Sequence, residues 1–165
     1  MKRPAKRSPR KKRHRVGRKL VPMPEMGKKS VKLPKESAWV LLSTGPGSHV
    51  FSKTQRRKVP DKRGCYEIGV SEPGNEPPKE WVVYVGVAGL GRGQRLQGRF
   101  YNHASQHGSN IKDQMDKFLA NGYWIWGRYY VVESVEEAEA LETRLLKSRW
   151  WHYLWNTAKV PPVIL

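Results

Sequence analysis

The apolar and polar positions of residues 64–153 follow two periods, and together these predict most of a small fold. Residues 65–70 mix apolar and polar side chains in strand-like alternation, and 81–87 form a near-continuous β-branched and aromatic run. Between them, Ser71-Glu72-Pro73-Gly74-Asn75-Glu76-Pro77-Pro78 is turn chemistry, so the two strands make a hairpin with a long loop. A glycine-rich stretch from Gly89 to Gly98 leads into a helix through about Gln106. Ser109 is placed to cap a second helix, in which Ile111, Met115, Phe118 and Leu119 recur at helical spacing and Asn121-Gly122 supplies the stop. Residues 123–133, rich in aromatic and β-branched side chains, read as a third strand. Ser134 with Glu137 forms a capping box that opens a third helix, running to about Tyr153. Val135, Ala138, Leu141 and Leu145 lie on its buried face. The order β-β-α-α-β-α predicts an α+β domain over 64–165: a small antiparallel sheet of about three strands, flanked by helices.

Upstream the pattern weakens. Residues 38–42 are a short apolar strand candidate, followed by a turn-rich stretch through Gly47, and 52–63 are basic and polar. The expectation is a connecting segment over 38–63 containing one short strand. Residues 1–19 hold 11 Lys or Arg and no acid, and prolines at 4, 9, 22, 24 and 34 interrupt any helix. Such a chain buries too little apolar surface to offset its ordering entropy, so 1–37 reads as a basic arm, disordered unless bound.

Charge sharpens that division. Of the formal net charge of +18, all resides in residues 1–63, where 21 Lys and Arg face Glu25, Glu36 and Asp61. The remainder carries 11 basic and 11 acidic side chains. A charge-balanced body with a polycationic front end implies a polyanionic partner, nucleic acid foremost, with Arg10, Lys11, Lys12, Arg13 and Arg15 as phosphate contacts. A solubilising tail is the plainer alternative, and the same run matches a nuclear import address. Arg92 and Arg95, set among glycines, are further candidates for a phosphate cradle, although a simple flexible turn explains that stretch equally well. Cys65 is the one cysteine, no Cys/His cluster has zinc spacing, and no apolar run is long enough to span a membrane. The expected setting is intracellular, in the nucleus or cytoplasm of a host, or a virion.

The chemistry-bearing residues then form a pattern. Gly64-Cys65-Tyr66 lies on the first strand of the hairpin and Tyr84-Val85-Gly86 on the second. Arg99 and His103 follow, four apart on one helix face. Glu142 lies in the third helix, and Asn156 just beyond it. In order and placement this set resembles the GIY-YIG nuclease superfamily, over roughly residues 64–156. The resemblance implies an endonuclease that hydrolyses DNA phosphodiesters with one Mg²⁺ or Mn²⁺ per site, held by Glu142. It implies Tyr66 as general base, Tyr84 and His103 orienting water or touching phosphate, and Asn156 contacting phosphate or supporting the site.

The demands of the reaction agree with these residue types. Hydrolysis needs an activated water, a forked cation such as Arg99 for the phosphate oxygens, and oxygen ligation of the metal. Each residue alone has a duller reading. Tyrosines on strands usually pack, a single Arg is usually a surface Arg, and a lone His is more often a structural hydrogen-bonder. Glu142 is one of five glutamates between 133 and 142, but it stands beside the buried stripe and there needs a partner. The tryptophans (Trp124, Trp126, Trp150, Trp151, Trp155) are many for one small core; dense core packing is the favoured explanation, and a partner surface or base-stacking platform the alternative. The alternative function is a structural piece of a capsid or other nucleoprotein particle, with the fold kept as scaffold and the arm anchored to neighbouring subunits or nucleic acid.

Overall fold

A computed structural model describes residues 33–51, 53–91, 94–105, 109–149 and 153–156. Its element order is β1 (Val40–Gly45), β2 (Ser48–His49), α1 (Lys53–Arg56), β3 (Gly64–Ser71), a 3₁₀ turn (Lys79–Trp81), β4 (Val82–Ala88), α2 (Leu96–Ser105), α3 (Lys112–Ala120), β5 (Trp124–Val131) and α4 (Val135–Arg149). The α+β class and the order β-β-α-α-β-α hold from β3 onward. The sheet, however, has five strands in the order β2-β1-β5-β3-β4, rather than about three. Every pairing is antiparallel.

The extra strands come from 38–63, expected to be a connecting segment with one short strand at 38–42: that strand is present as β1, and β2 follows it. Val40 and Leu42 of β1 are buried, and β1 pairs with β5 through Val40↔Gly127 and Leu41↔Trp126. Phe51 and Val59 join the same core. Just before β1, Glu36 bridges Tyr130, and the Ser37 N–H donates to the Tyr129 carbonyl at 2.9 Å. The pairing partner of β1 lies some eighty positions away, so nothing in the local pattern announces it.

β3 is buried along its whole length because both faces of the sheet are covered. Tyr66, Ile68 and Val70 point to one face, into a core with Leu96 and Phe100 of α2 and Met115 and Leu119 of α3. Cys65 points to the other, where Ala138, Leu141 and Leu145 of α4 pack. A bulge between Ile68 and Gly69 leaves Val83 of β4 unpaired, so Val83 and Tyr84 both face the α2 side.

β4 is the edge strand, and the chain after α4 covers it. Trp155 donates its N–H to the Val83 carbonyl at 2.9 Å. The Asn156 carboxamide accepts from Val85 N–H at 2.9 Å and donates to Val85 C=O at 2.7 Å, so it pairs with the edge as a neighbouring strand would. Tyr153, expected as the last residue of the third helix, is not helical. The Ser134 cap is present, with its hydroxyl accepting the Glu137 N–H at 3.1 Å. Gly122 stops α3 with a φ of 83°. Among the described residues no helix is long and apolar enough to cross a membrane.

Candidate active site

Two glycines bring the site together. Gly86 pairs with Tyr66 across β3 and β4. A Cβ on Gly86 would stand 2.6 Å from the Tyr66 hydroxyl oxygen and 2.9 Å from the Tyr84 ring, so only glycine leaves room for the phenol. At Gly64 a Cβ would meet the Tyr130 carbonyl at 2.3 Å and Leu96 at 2.8 Å, which would push α2 off the sheet. Leu96, Phe100, His103 and Ala104 form the buried stripe of α2. That seating turns Arg99 and His103, one turn apart, onto Tyr66.

The Tyr66 hydroxyl is the point of convergence. Arg99 donates to it from Nε at 3.2 Å and from Nη2 at 3.0 Å. His103 Nε2 lies 3.0 Å from the same oxygen. An oxygen that accepts two N–H bonds still has its own proton to give, and Nε2 is placed to take it. His103 then carries its proton on Nδ1 and donates it to Ser109 Oγ, 2.9 Å away. Ser109 was expected to cap the second helix, but α3 opens after Ile111 without a side-chain cap. The Ser109 hydroxyl instead orients the histidine. The Tyr84 ring lies 6.1 Å from both the Tyr66 and His103 rings, and Asn110 Nδ2 donates to its hydroxyl at 3.3 Å.

Burial dominates the electrostatics. It pushes the Tyr66 hydroxyl well above the ordinary tyrosine value; Tyr84 adds to the rise and Arg99 opposes it. Burial also lowers His103 to about 3, helped by the Arg99 charge. His103 is therefore neutral at pH 7, and its Nε2 accepts the Tyr66 hydroxyl as a hydrogen bond. For Arg99, burial works against the charge but is outweighed by its attraction to Tyr66, so its affinity for the proton rises.

The His103 shift has a measurable consequence. A histidine with an ordinary value near 6.5 when unfolded and about 3 when folded contributes stability above pH ~6.5, and that stability drains away as pH falls toward 3. Between pH 6 and 4 the wild type should lose about 1 kcal/mol per pH unit more than a His103→Gln variant, read by urea unfolding. Equal slopes would mean that the imidazole is not held neutral.

The structure thus gathers Tyr66, Tyr84, Arg99 and His103 on one face. Glu142 and Asn156 stand on other elements. Asn156 is buried with both ends of its carboxamide on Val85, a place from which it fixes the strand that carries Tyr84. Glu142 is buried on α4, whose apolar stripe packs on the opposite sheet face, chiefly against β4. Among the described residues no three of His, Cys, Asp and Glu converge as a cage. A single carboxylate is the donor set that suits Mg²⁺ or Mn²⁺, ions that keep waters and substrate oxygens as their remaining ligands. Arg95 is exposed and donates to the Asp61 carbonyl at 3.1 Å. Arg92, Trp150, Trp151 and the arm residues Arg10, Lys11, Lys12, Arg13 and Arg15 lie outside the described residues.

One group escaped the sequence reading altogether. On the α4 side, Glu67 is fully buried, and its carboxylate accepts from Arg128 Nε at 2.6 Å, from the Tyr130 hydroxyl at 3.0 Å and from the Tyr153 hydroxyl. Arg128 also pairs with Glu36 at 3.1 Å and lies 4.7 Å from the Trp39 ring centre. A charge in each of two otherwise apolar strands, Glu67 in one and Arg128 in the other, was the available signal. These residues tie the segment before β1, the two central strands and the chain after α4 into one unit. Comparison of the chain with protein-family models, with curated proteins and with solved structures finds no match.

Proposed function

We propose that the chain is a metal-dependent endonuclease of the GIY-YIG type that hydrolyses DNA phosphodiester bonds. The observation that carries this reading is the Tyr66 hydroxyl, held at 3.0 Å by both Arg99 Nη2 and the neutral His103. In this scheme the phosphate and the cation that enter with substrate offset the burial that keeps Tyr66 protonated and His103 neutral. Tyr66 then passes its proton to His103 Nε2, and Arg99 stabilises the phenolate left behind. The phenolate takes a proton from water as the water oxygen bonds to phosphorus and the bond to the leaving oxygen breaks. Arg99 also offsets the charge that builds on the phosphoryl oxygens. Glu142 is the residue that would hold a divalent cation to polarise the phosphate and favour departure of the leaving oxygen, which requires that this carboxylate, on the α4 side of the sheet, reach the phosphate that Arg99 engages. Ser109 holds His103 in the accepting tautomer.

The 165-residue chain should nick supercoiled plasmid at low salt with Mg²⁺ or Mn²⁺, and chelation should stop it. Glu142→Gln should slow nicking by roughly 100-fold or more while the fold is kept. A second reading, a structural piece of a capsid or nucleoprotein particle, is favoured by the 11 basic residues without an acid in 1–19. Duplex binding with no nicking in either metal would replace the first reading with the second.

A further inference from the structure

We infer that the folded body carries its own nucleic-acid-binding ridge, distinct from the basic arm, built by the segment between α1 and β3 where it docks on α2. Arg57, Lys58, Lys62 and Arg63 are exposed in that segment, as are Arg56 at the end of α1 and Arg95 just before α2. Asp61 is the one acid in the segment, and it is engaged with Arg95 at 3.7 Å.

The ridge is a built surface rather than a loose charge run, because its backbone is turned inward and bound. Gln97 Nε2 donates to the Arg56 carbonyl at 2.9 Å and to the Val59 carbonyl at 3.2 Å. The Tyr129 hydroxyl donates to the Lys58 carbonyl at 2.8 Å, and Leu96 N–H to the Lys62 carbonyl at 3.0 Å. Val132 N–H reaches the Arg63 carbonyl at 3.4 Å, and Val59 is buried in the core. With these carbonyls held from behind, the cationic side chains project from fixed positions. The Arg56 guanidinium is further settled over the Tyr101 ring, 5.4 Å from its centre.

A row of exposed cations on a rigid backing, mostly arginine, matches a phosphate backbone, whose oxygens take forked N–H donors. Its contacts carry no base information and serve to position the strand. The place of the ridge gives that positioning a purpose. Arg95 and Arg99 are successive in one helical turn, with Arg99 N–H bonded to the Arg95 carbonyl at 2.9 Å, and Arg99 is the residue on Tyr66. A duplex lying along the ridge is led toward the Tyr66 hydroxyl. This direction rests on the nuclease reading, whereas the binding itself does not.

The test uses the full chain and a fluorescent duplex of about 25 base pairs, in chelator so that no cleavage occurs, with anisotropy read across a salt series. One variant carries Arg57→Gln, Lys58→Gln and Lys62→Gln. A charge-matched control carries Lys112→Gln, Lys117→Gln and Lys147→Gln on α3 and α4. The ridge variant should bind at least about 10-fold more weakly at low salt, with the slope of log K against log salt shallower by roughly 2 to 3, near 0.9 for each lost phosphate contact. The control should stay close to wild type. Equal changes in both variants would overturn the ridge. So would duplex binding unchanged in the ridge variant while binding to phosphatidylserine vesicles is lost. Absence of nicking would sink the nuclease reading and leave this comparison intact.

Discussion

Replacing Arg99 with alanine should cut plasmid nicking by about 10³-fold while duplex binding changes little. Arg99 gives two N–H bonds to the Tyr66 hydroxyl, at 3.2 and 3.0 Å, and opposes the burial that holds that hydroxyl protonated. Without it the phenolate forms with greater difficulty, and the charge developing on the phosphate loses its forked donor. Both losses fall on the transition state, so the effect belongs in kcat rather than KM. Arg99→Lys should recover only part of the rate, because an ammonium keeps the charge but not the fork. A rise in KM with kcat unchanged would make Arg99 a binding residue instead.

The second large effect is on stability. Arg128→Met should destabilise the fold by about 3 to 5 kcal/mol, because it leaves the Glu67 carboxylate buried without its cation. The Tyr130 and Tyr153 hydroxyls bonded to Glu67 soften that penalty without neutralising the charge. Pairing Arg128→Met with Glu67→Leu should recover part of the loss, since apolar groups of similar volume replace the buried ion pair, while the Tyr130 and Tyr153 hydroxyls forfeit their bonds to Glu67. Chemical denaturation reads both. Strictly additive losses would mean that the two charges do not depend on each other.

What the sequence made legible depended on the range of each signal. β3, β4, β5 and the three long helices announce themselves through side-chain periods within ten or fifteen residues. β1 shows locally only as the short apolar run at 38–42, and its place in the sheet comes from pairing with β5, while β2 is added only through pairing with β1. Of the site, Tyr66, Tyr84, Arg99 and His103 were picked out by the resemblance, and the paired strands and the i, i+4 spacing on α2 do bring the four together. Ser109 was not. A serine just before a helix has a local use as a cap, and only the folded chain turns its hydroxyl to His103. Nor does local pattern show that the helix stops short of Tyr153, whose hydroxyl bonds Glu67 only in the folded chain. Glu67 and Arg128 each look like an interruption of an apolar strand, and they make sense only as neighbours across β3 and β5.

The most direct measurement is the nicking rate of Tyr66→Phe beside wild type, with Mg²⁺ and matched thermal unfolding curves. Phenylalanine keeps the ring against Phe100, 5.9 Å away, and removes only the oxygen on which Arg99 and His103 converge. Nicking reduced by about 10³-fold or more in a folded variant is the expected result if Tyr66 is the general base. Nicking at close to the wild-type rate would contradict the assignment of this site.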